Sequence, residues 1–203
     1  MNTAVSNRSL LARALVLGAL LITGPAAADG DAEQGAKLGY TCLGCHGIEG
    51  YRNGYPSFRV PRLGGQKAEY LDTALKAYRS GTRPHPTMRA QASAMTDDDI
   101  DDLVAWIVSY GEAEDTISGA DVEGVQVAQI CVTCHGAEGA NVTPQPPVLS
   151  GQHADYLVHA LGQYKDGSRG GNVMTAFATT LSEADMELLA RIYAAEEGLE
   201  TLD

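Results

Sequence analysis

Cys42-Leu43-Gly44-Cys45-His46 recurs as Cys131-Val132-Thr133-Cys134-His135, and these two stretches hold every cysteine of the 203-residue chain. C-x-x-C-H is the spacing of covalent c-type haem attachment. Two thiols separated by two residues share one backbone turn and can add to the two vinyl groups of one macrocycle. The adjacent imidazole then faces the iron. Cys42 and Cys45 are therefore expected to anchor one haem, and Cys131 and Cys134 a second. His46 and His135 are the expected proximal iron ligands. Two disulfides or paired zinc knuckles would use the same cysteines, but each leaves a twice-repeated histidine unexplained. The chemistry these residues favour is one-electron transfer.

Attachment does not fix the sixth ligand, and that ligand separates a carrier from a catalyst with open iron. Met88 and Met174 occupy matched positions and are the best candidates. A thioether favours ferrous iron more than a second imidazole does, so it raises the potential. His85, three residues before Met88, is a rival, but its counterpart in the second copy is Gly171, which cannot ligate. Met95 corresponds to Leu181 and reads as apolar packing, as does Met186 on a helix face. His153 and His159 lack matching histidines and read as surface or structural residues. Pro61 and Pro147 each offer a backbone carbonyl to the remaining N–H of a proximal histidine, an interaction that orients such ligands. An ordinary turn proline accounts for either one as well.

The elements that position these groups are duplicated. Gly35, Cys42, Cys45, His46 and Gly47 align with Gly124, Cys131, Cys134, His135 and Gly136 at an offset of 89. The offset then becomes 86: Pro61 to Gln66 aligns with Pro147 to Gln152, and Tyr70, Leu71, Leu75, Tyr78 and Gly81 with Tyr156, Leu157, Leu161, Tyr164 and Gly167. The expectation is an all-α chain of two tandem domains, 29–112 and 122–203, joined by a polar linker over 113–121. Each copy reads as about three helices around its haem. The first begins near Ala32 or Asp121 and runs into the cysteine pair. The second covers about Lys67 to Arg79, and its twin carries Tyr156, Leu157, Ala160, Leu161 and Tyr164 at helical spacing. The third opens at Thr96 with Asp99 three residues on, or at Ser182 with Asp185, both resembling capping boxes. A copy of this size is small for an unaided hydrophobic core, so the macrocycle is expected to supply much of it.

Residues 1–28 read as a cleaved export signal: Arg8 and Arg13, an apolar run from Ala14 to Gly24, and an Ala26-Ala27-Ala28 cleavage site. The apolar stretch is shorter than the roughly 20 residues of a spanning helix. This places the mature chain in the periplasm. The formal charge of −12 opposes binding to nucleic acid or anionic lipid. The charge is uneven: residues 29–113 carry nine Lys/Arg against twelve Asp/Glu, and residues 114–203 carry three against fourteen. The basic residues of the first half (Arg52, Arg59, Arg62, Lys67, Lys76, Arg79, Arg83 and Arg89) are expected to dock one redox partner, and the acidic second half another.

The tandem C-x-x-C-H-G, the two P-x-L-x-G-Q-like segments and the methionines before the third helices resemble the dihaem cytochrome c4 family. The resemblance implies two class I cytochrome c domains with histidine–methionine ligation by His46, Met88, His135 and Met174. It also implies hydrogen bonds from the proximal histidines to the Pro61 and Pro147 carbonyls, and two haem c groups facing each other across a pseudo-twofold interface. The expected function is single-electron transfer in the periplasm, with peripheral membrane association in some members. A quinol-oxidising complex or dehydrogenase would be the donor and a terminal oxidase or reductase the acceptor. The alternative is the electron-accepting cytochrome subunit of a flavocytochrome sulfide dehydrogenase or thiosulfate dehydrogenase. A haem enzyme in its own right would need an open iron, against which the two methionines count.

Overall fold

The computed structural model describes residues 30–52, 54, 57–112, 116–119, 121–136, 146–170 and 173–203. The expected leader, residues 113–115 and 120 of the expected linker, and Gly171 lie outside the described residues. The fold is helical, and the described residues form isolated β-bridges but no strand.

The first copy contains α1 (Ala32–Leu38), a 3-10 turn (Gly39–Thr41), α2 (Leu43–His46), α3 (Ala68–Ser80), α4 (Pro86–Ala92) and α5 (Asp97–Val108). The second contains α6 (Gln126–His135), α7 (Ala154–Lys165), α8 (Val173–Ala178) and α9 (Glu183–Ala195). Both expected capping boxes form. The Thr96 and Ser182 hydroxyls accept from the amides of Asp99 and Asp185, whose carboxylates accept from the cap amides in return. Three acids in the first turn of α5 suit the positive end of its dipole. Ile100, Leu103, Val104 and Ile107 are then buried on one stripe of α5, and Met186, Leu189, Ala190 and Tyr193 on one stripe of α9.

Two features depart from the expected three helices per copy. Each methionine candidate lies on a short additional helix, α4 or α8. In α4, Pro86 occupies the first turn, where its missing N–H costs nothing, and His85 caps the helix by accepting the Met88 amide. The opening helices also differ between copies. Gly35 sits inside α1 because a Cβ there would run into the Asp102 carbonyl oxygen of α5. Its aligned partner Gly124 has φ +82, a left-handed turn that delays α6 to Gln126.

Each copy has its own core, and each core is completed from the segment that follows the other copy. Ile117, in the expected polar linker, is fully buried in the core of α6, α7 and α9. Leu202, at the carboxyl end, is fully buried against Leu71, Ile100, Leu103 and Trp106 of the first copy. The tail passes from Ser150 to its repeat mate Gly64: the Leu199 amide donates to Ser150 O at 2.9 Å, Glu200 exchanges two hydrogen bonds with Gly64, and the Leu202 amide donates to His46 O at 3.0 Å. The glycine after each C-x-x-C-H accommodates this crossing. A Cβ on Gly47 would lie 2.6 Å from Leu202 O, and one on Gly136 would lie 2.9 Å from Ile117 O.

Candidate functional site

His46 and His135 are the last residues of α2 and α6. Helix geometry therefore sets each imidazole one turn beyond the first cysteine of its pair. His46 Nδ1 lies 2.9 Å from Pro61 O, and His135 Nδ1 lies 3.0 Å from Pro147 O. A carbonyl oxygen only accepts, so the proton sits on Nδ1 in both rings. Nε2 then carries the lone pair an iron ligand needs. Burial holds His46 below the usual imidazole range, against the opposing pull of the Pro61 carbonyl, so the ring stays neutral.

All four cysteines are free and half-buried. Burial pushes the Cys42 and Cys131 thiols up, which counts against use of either as a reactive thiolate. The pairs belong to different copies, and among the described residues no three His, Cys, Asp or Glu side chains converge as a metal site. Met88 and Met174 are half-buried on α4 and α8. His85 uses its Nδ1 to cap α4, a structural role. His153 is buried, and His159 stacks on Phe58 of the other copy with ring centroids 4.1 Å apart.

Arg83 and Arg169 carry a signal the sequence reading passed over: they align at the 86-residue offset and follow the glycines that end α3 and α7. Both guanidiniums are buried, at 8% and 6% exposure. Arg83 Nη2 donates to the Tyr156 hydroxyl at 2.7 Å, and Arg169 Nη2 donates to the Tyr70 hydroxyl at 3.0 Å, each across the boundary between copies. Arg83 also lies over the Tyr78 ring at 4.5 Å, and Arg169 over the Tyr164 ring at 4.6 Å. Among the described residues neither has a carboxylate partner. Two buried cations that meet hydroxyls and ring faces among the described residues fit an anionic cofactor, and haem carries two propionates. Together with the free cysteine pairs and the oriented imidazoles, this donor set fits two haem groups.

Four of the eight basic residues expected to form a docking face on the first copy, Arg52, Arg59, Arg62 and Arg83, are engaged by the second copy. Arg83 is buried. Arg52 and Arg59 pair with Asp155 of the second copy at 3.0 and 3.4 Å. Arg62 donates to Gly151 O at 2.6 Å and pairs with Glu49 at 2.7 Å. These cations reach the second copy or pair within the first, an outcome that net charge along a chain cannot reveal.

Comparison with known proteins agrees with this geometry. The family model described as Cytochrome c matches residues 32–111 and 122–191. Cytochrome c4 of Azotobacter vinelandii is 31% identical over 211 residues, covering 91% of this chain and 96% of that protein. The thiosulfate dehydrogenase electron acceptor of Stutzerimonas stutzeri (strain A1501) is 30% identical over 169 residues, covering 75% and 77%. The crystal structure of reduced recombinant cytochrome c4 from Pseudomonas stutzeri superposes with a TM-score of 0.65 at 27% identity, over 83% of this chain and 100% of that one. The two copies are thus cytochrome c domains, and the protein is an electron carrier with two covalent haem c groups. It belongs to the dihaem cytochrome c4 family. Its partners are redox proteins. Among the described residues no helix is long and apolar enough to cross a membrane.

Proposed function

We propose that this protein is a periplasmic shuttle built from domains 29–112 and 122–203 with the linker 113–121 between them. In this reading Cys42 and Cys45 anchor one haem, Cys131 and Cys134 the other, and the axial pairs are His46 with Met88 and His135 with Met174. The bound haems supply the one-electron iron couple. Pro61 and Pro147 fix the histidine tautomer and ring orientation, so Nε2 is presented without reorganisation. Arg83 and Arg169 neutralise the propionates inside the interface. A quinol-oxidising complex or dehydrogenase is the donor, and a terminal oxidase or reductase the acceptor. The observation that carries the reading is the pair of Nδ1 to proline-carbonyl hydrogen bonds behind each C-x-x-C-H. Redox titration of the holoprotein with optical and magnetic spectroscopy tests it: two low-spin irons per chain are expected, and a high-spin ferric centre overturns it.

The similarity to a thiosulfate dehydrogenase electron acceptor supports a second reading, in which the chain serves one dehydrogenase as its cytochrome subunit. Affinity isolation from native periplasm separates the two. A single stoichiometric dehydrogenase favours the subunit, and its absence favours the mobile carrier.

A further inference from the structure

Each proximal imidazole is one peptide unit away from a side chain of the opposite domain. The C=O of the Pro61–Arg62 peptide accepts from His46 Nδ1 at 2.9 Å. The N–H of that same peptide donates to Gln152 Oε1 at 3.0 Å. The second copy repeats the arrangement: the C=O of the Pro147–Val148 peptide accepts from His135 Nδ1 at 3.0 Å, and its N–H donates to Gln66 Oε1 at 3.0 Å. Each glutamine closes a clasp with its amide nitrogen, Gln152 onto Arg62 O at 3.0 Å and Gln66 onto Val148 O at 3.1 Å. Both side chains are buried, at 5% for Gln66 and 4% for Gln152. Their oxygens are held in place by a further amide each, from Lys67 and His153.

We propose that Gln152 and Gln66 are crossed positioning residues, each setting the ligand strength of the proximal histidine in the other domain through one intervening peptide. The inference rests on His46 and His135 being iron ligands, and it does not depend on the methionines. A peptide whose N–H is engaged by an acceptor carries more negative charge on its oxygen, because hydrogen bonds in series polarise one another. The more basic carbonyl draws the Nδ1 proton further from the ring. The imidazole becomes a stronger donor at Nε2 and stabilises ferric over ferrous iron. Removing the glutamine therefore raises the potential of the haem in the opposite domain.

The test uses the holoprotein with Gln152→Met and Gln66→Met made singly, so that one clasp always remains. NMR-followed redox titration resolves the two haems and reports the Nδ1–H resonance of each histidine. The expected pattern is crossed: Q152M raises the potential of the His46 haem and moves the His46 Nδ1–H resonance, with a smaller effect at the His135 haem, and Q66M does the converse. Gln152→Asn keeps a polar side chain in the interface but withdraws the acceptor by one methylene, and it gives the same crossed rise. Unchanged potentials, equal shifts at both haems, or a shift confined to the variant's own domain overturn the proposal. So does the crossed pattern in Asp155→Asn, which cuts other contacts of the same interface. If the histidines were not ligands, the wild-type spectra would already lack low-spin histidine-ligated iron. Failure of the relay alone leaves those spectra intact.

Discussion

Arg83 donates across the domain boundary to the Tyr156 hydroxyl at 2.7 Å, while its repeat counterpart Arg169 donates to Tyr70 in the other direction. The reciprocity makes the interface pseudo-twofold. It also places two positive charges in the interior with no carboxylate opposite them among the described residues. Arg83→Met removes one of these charges and favours the ferric, more positive state. Redox titration is expected to show lower potentials than wild type, and potentials equal to or above wild type would contradict the role assigned to Arg83.

The same substitution has an acid–base signature. Burial opposes ionisation of Tyr70, but Arg83 and Arg169 outweigh it and bring the hydroxyl down to about 8. With Arg83 gone, the Tyr70 pKa moves up. Ring-carbon NMR shifts followed against pH in both proteins check this, and a Tyr70 midpoint that stays in place refutes it.

Leu202 tests whether the tail is structural. It is fully buried in the core of the first domain, although it is the penultimate residue of the second. Leu202→Ala should destabilise the first domain by about 2–5 kcal/mol, the usual cost of such a truncation in a packed core. Chemical denaturation followed by Trp106 fluorescence measures it. A loss well under 1 kcal/mol would show that the tail is merely draped on the surface.

Much of this was legible in advance, and what was not shares a cause. The duplicated C-x-x-C-H and the capping boxes at Thr96 and Ser182 are local patterns with fixed spacing, and both appear in the structure. Contacts between the copies leave no such periodicity. Ile117 sits among polar residues and reads as linker, yet it is a core residue of the second domain. Arg83 reads as one more surface cation, yet tyrosines from both domains surround it. Gln66 and Gln152 were visible only as the ends of a repeated motif, because their partners lie 82 and 90 residues away. The helices α4 and α8 were missed because each is shorter than two full periods of any apolar pattern.

Glu49 links tail and interface, with a carboxylate that accepts from Thr201 and pairs with Arg62. The Thr201 hydrogen bond, then that from Arg62, hold its pKa below the usual carboxylate range. A group with a lowered folded pKa contributes stability above its unfolded pKa and loses it as pH falls through the folded value. The Leu202 amide should therefore lose protection from hydrogen exchange, corrected for intrinsic rate, as pH falls below about 4.3. Glu49→Gln should remove that pH dependence, and an unchanged profile in the variant would rule Glu49 out as its source.

Asp155 joins Arg52 and Arg59 across the interface, but the three side chains remain 25–47% exposed. Solvent screening limits such pairs to about 0–1 kcal/mol each. Asp155→Asn is expected to leave the domains associated, with a small, salt-dependent loss of stability by denaturation. Dissociation of the domains in scattering measurements would show that the interface depends on these ion pairs rather than on the buried glutamine and arginine contacts.

In the proposed coordination both irons are held between an imidazole nitrogen and a thioether sulfur. Its most direct measurement is the absorption band of methionine bound to ferric haem, quantified per chain in wild type, Met88→Ala, Met174→Ala and the double variant. The expected result is two equivalents in wild type, one in each single variant and none in the double. A band that survives the double variant, or single variants indistinguishable from wild type, would contradict the assignment of both ligands.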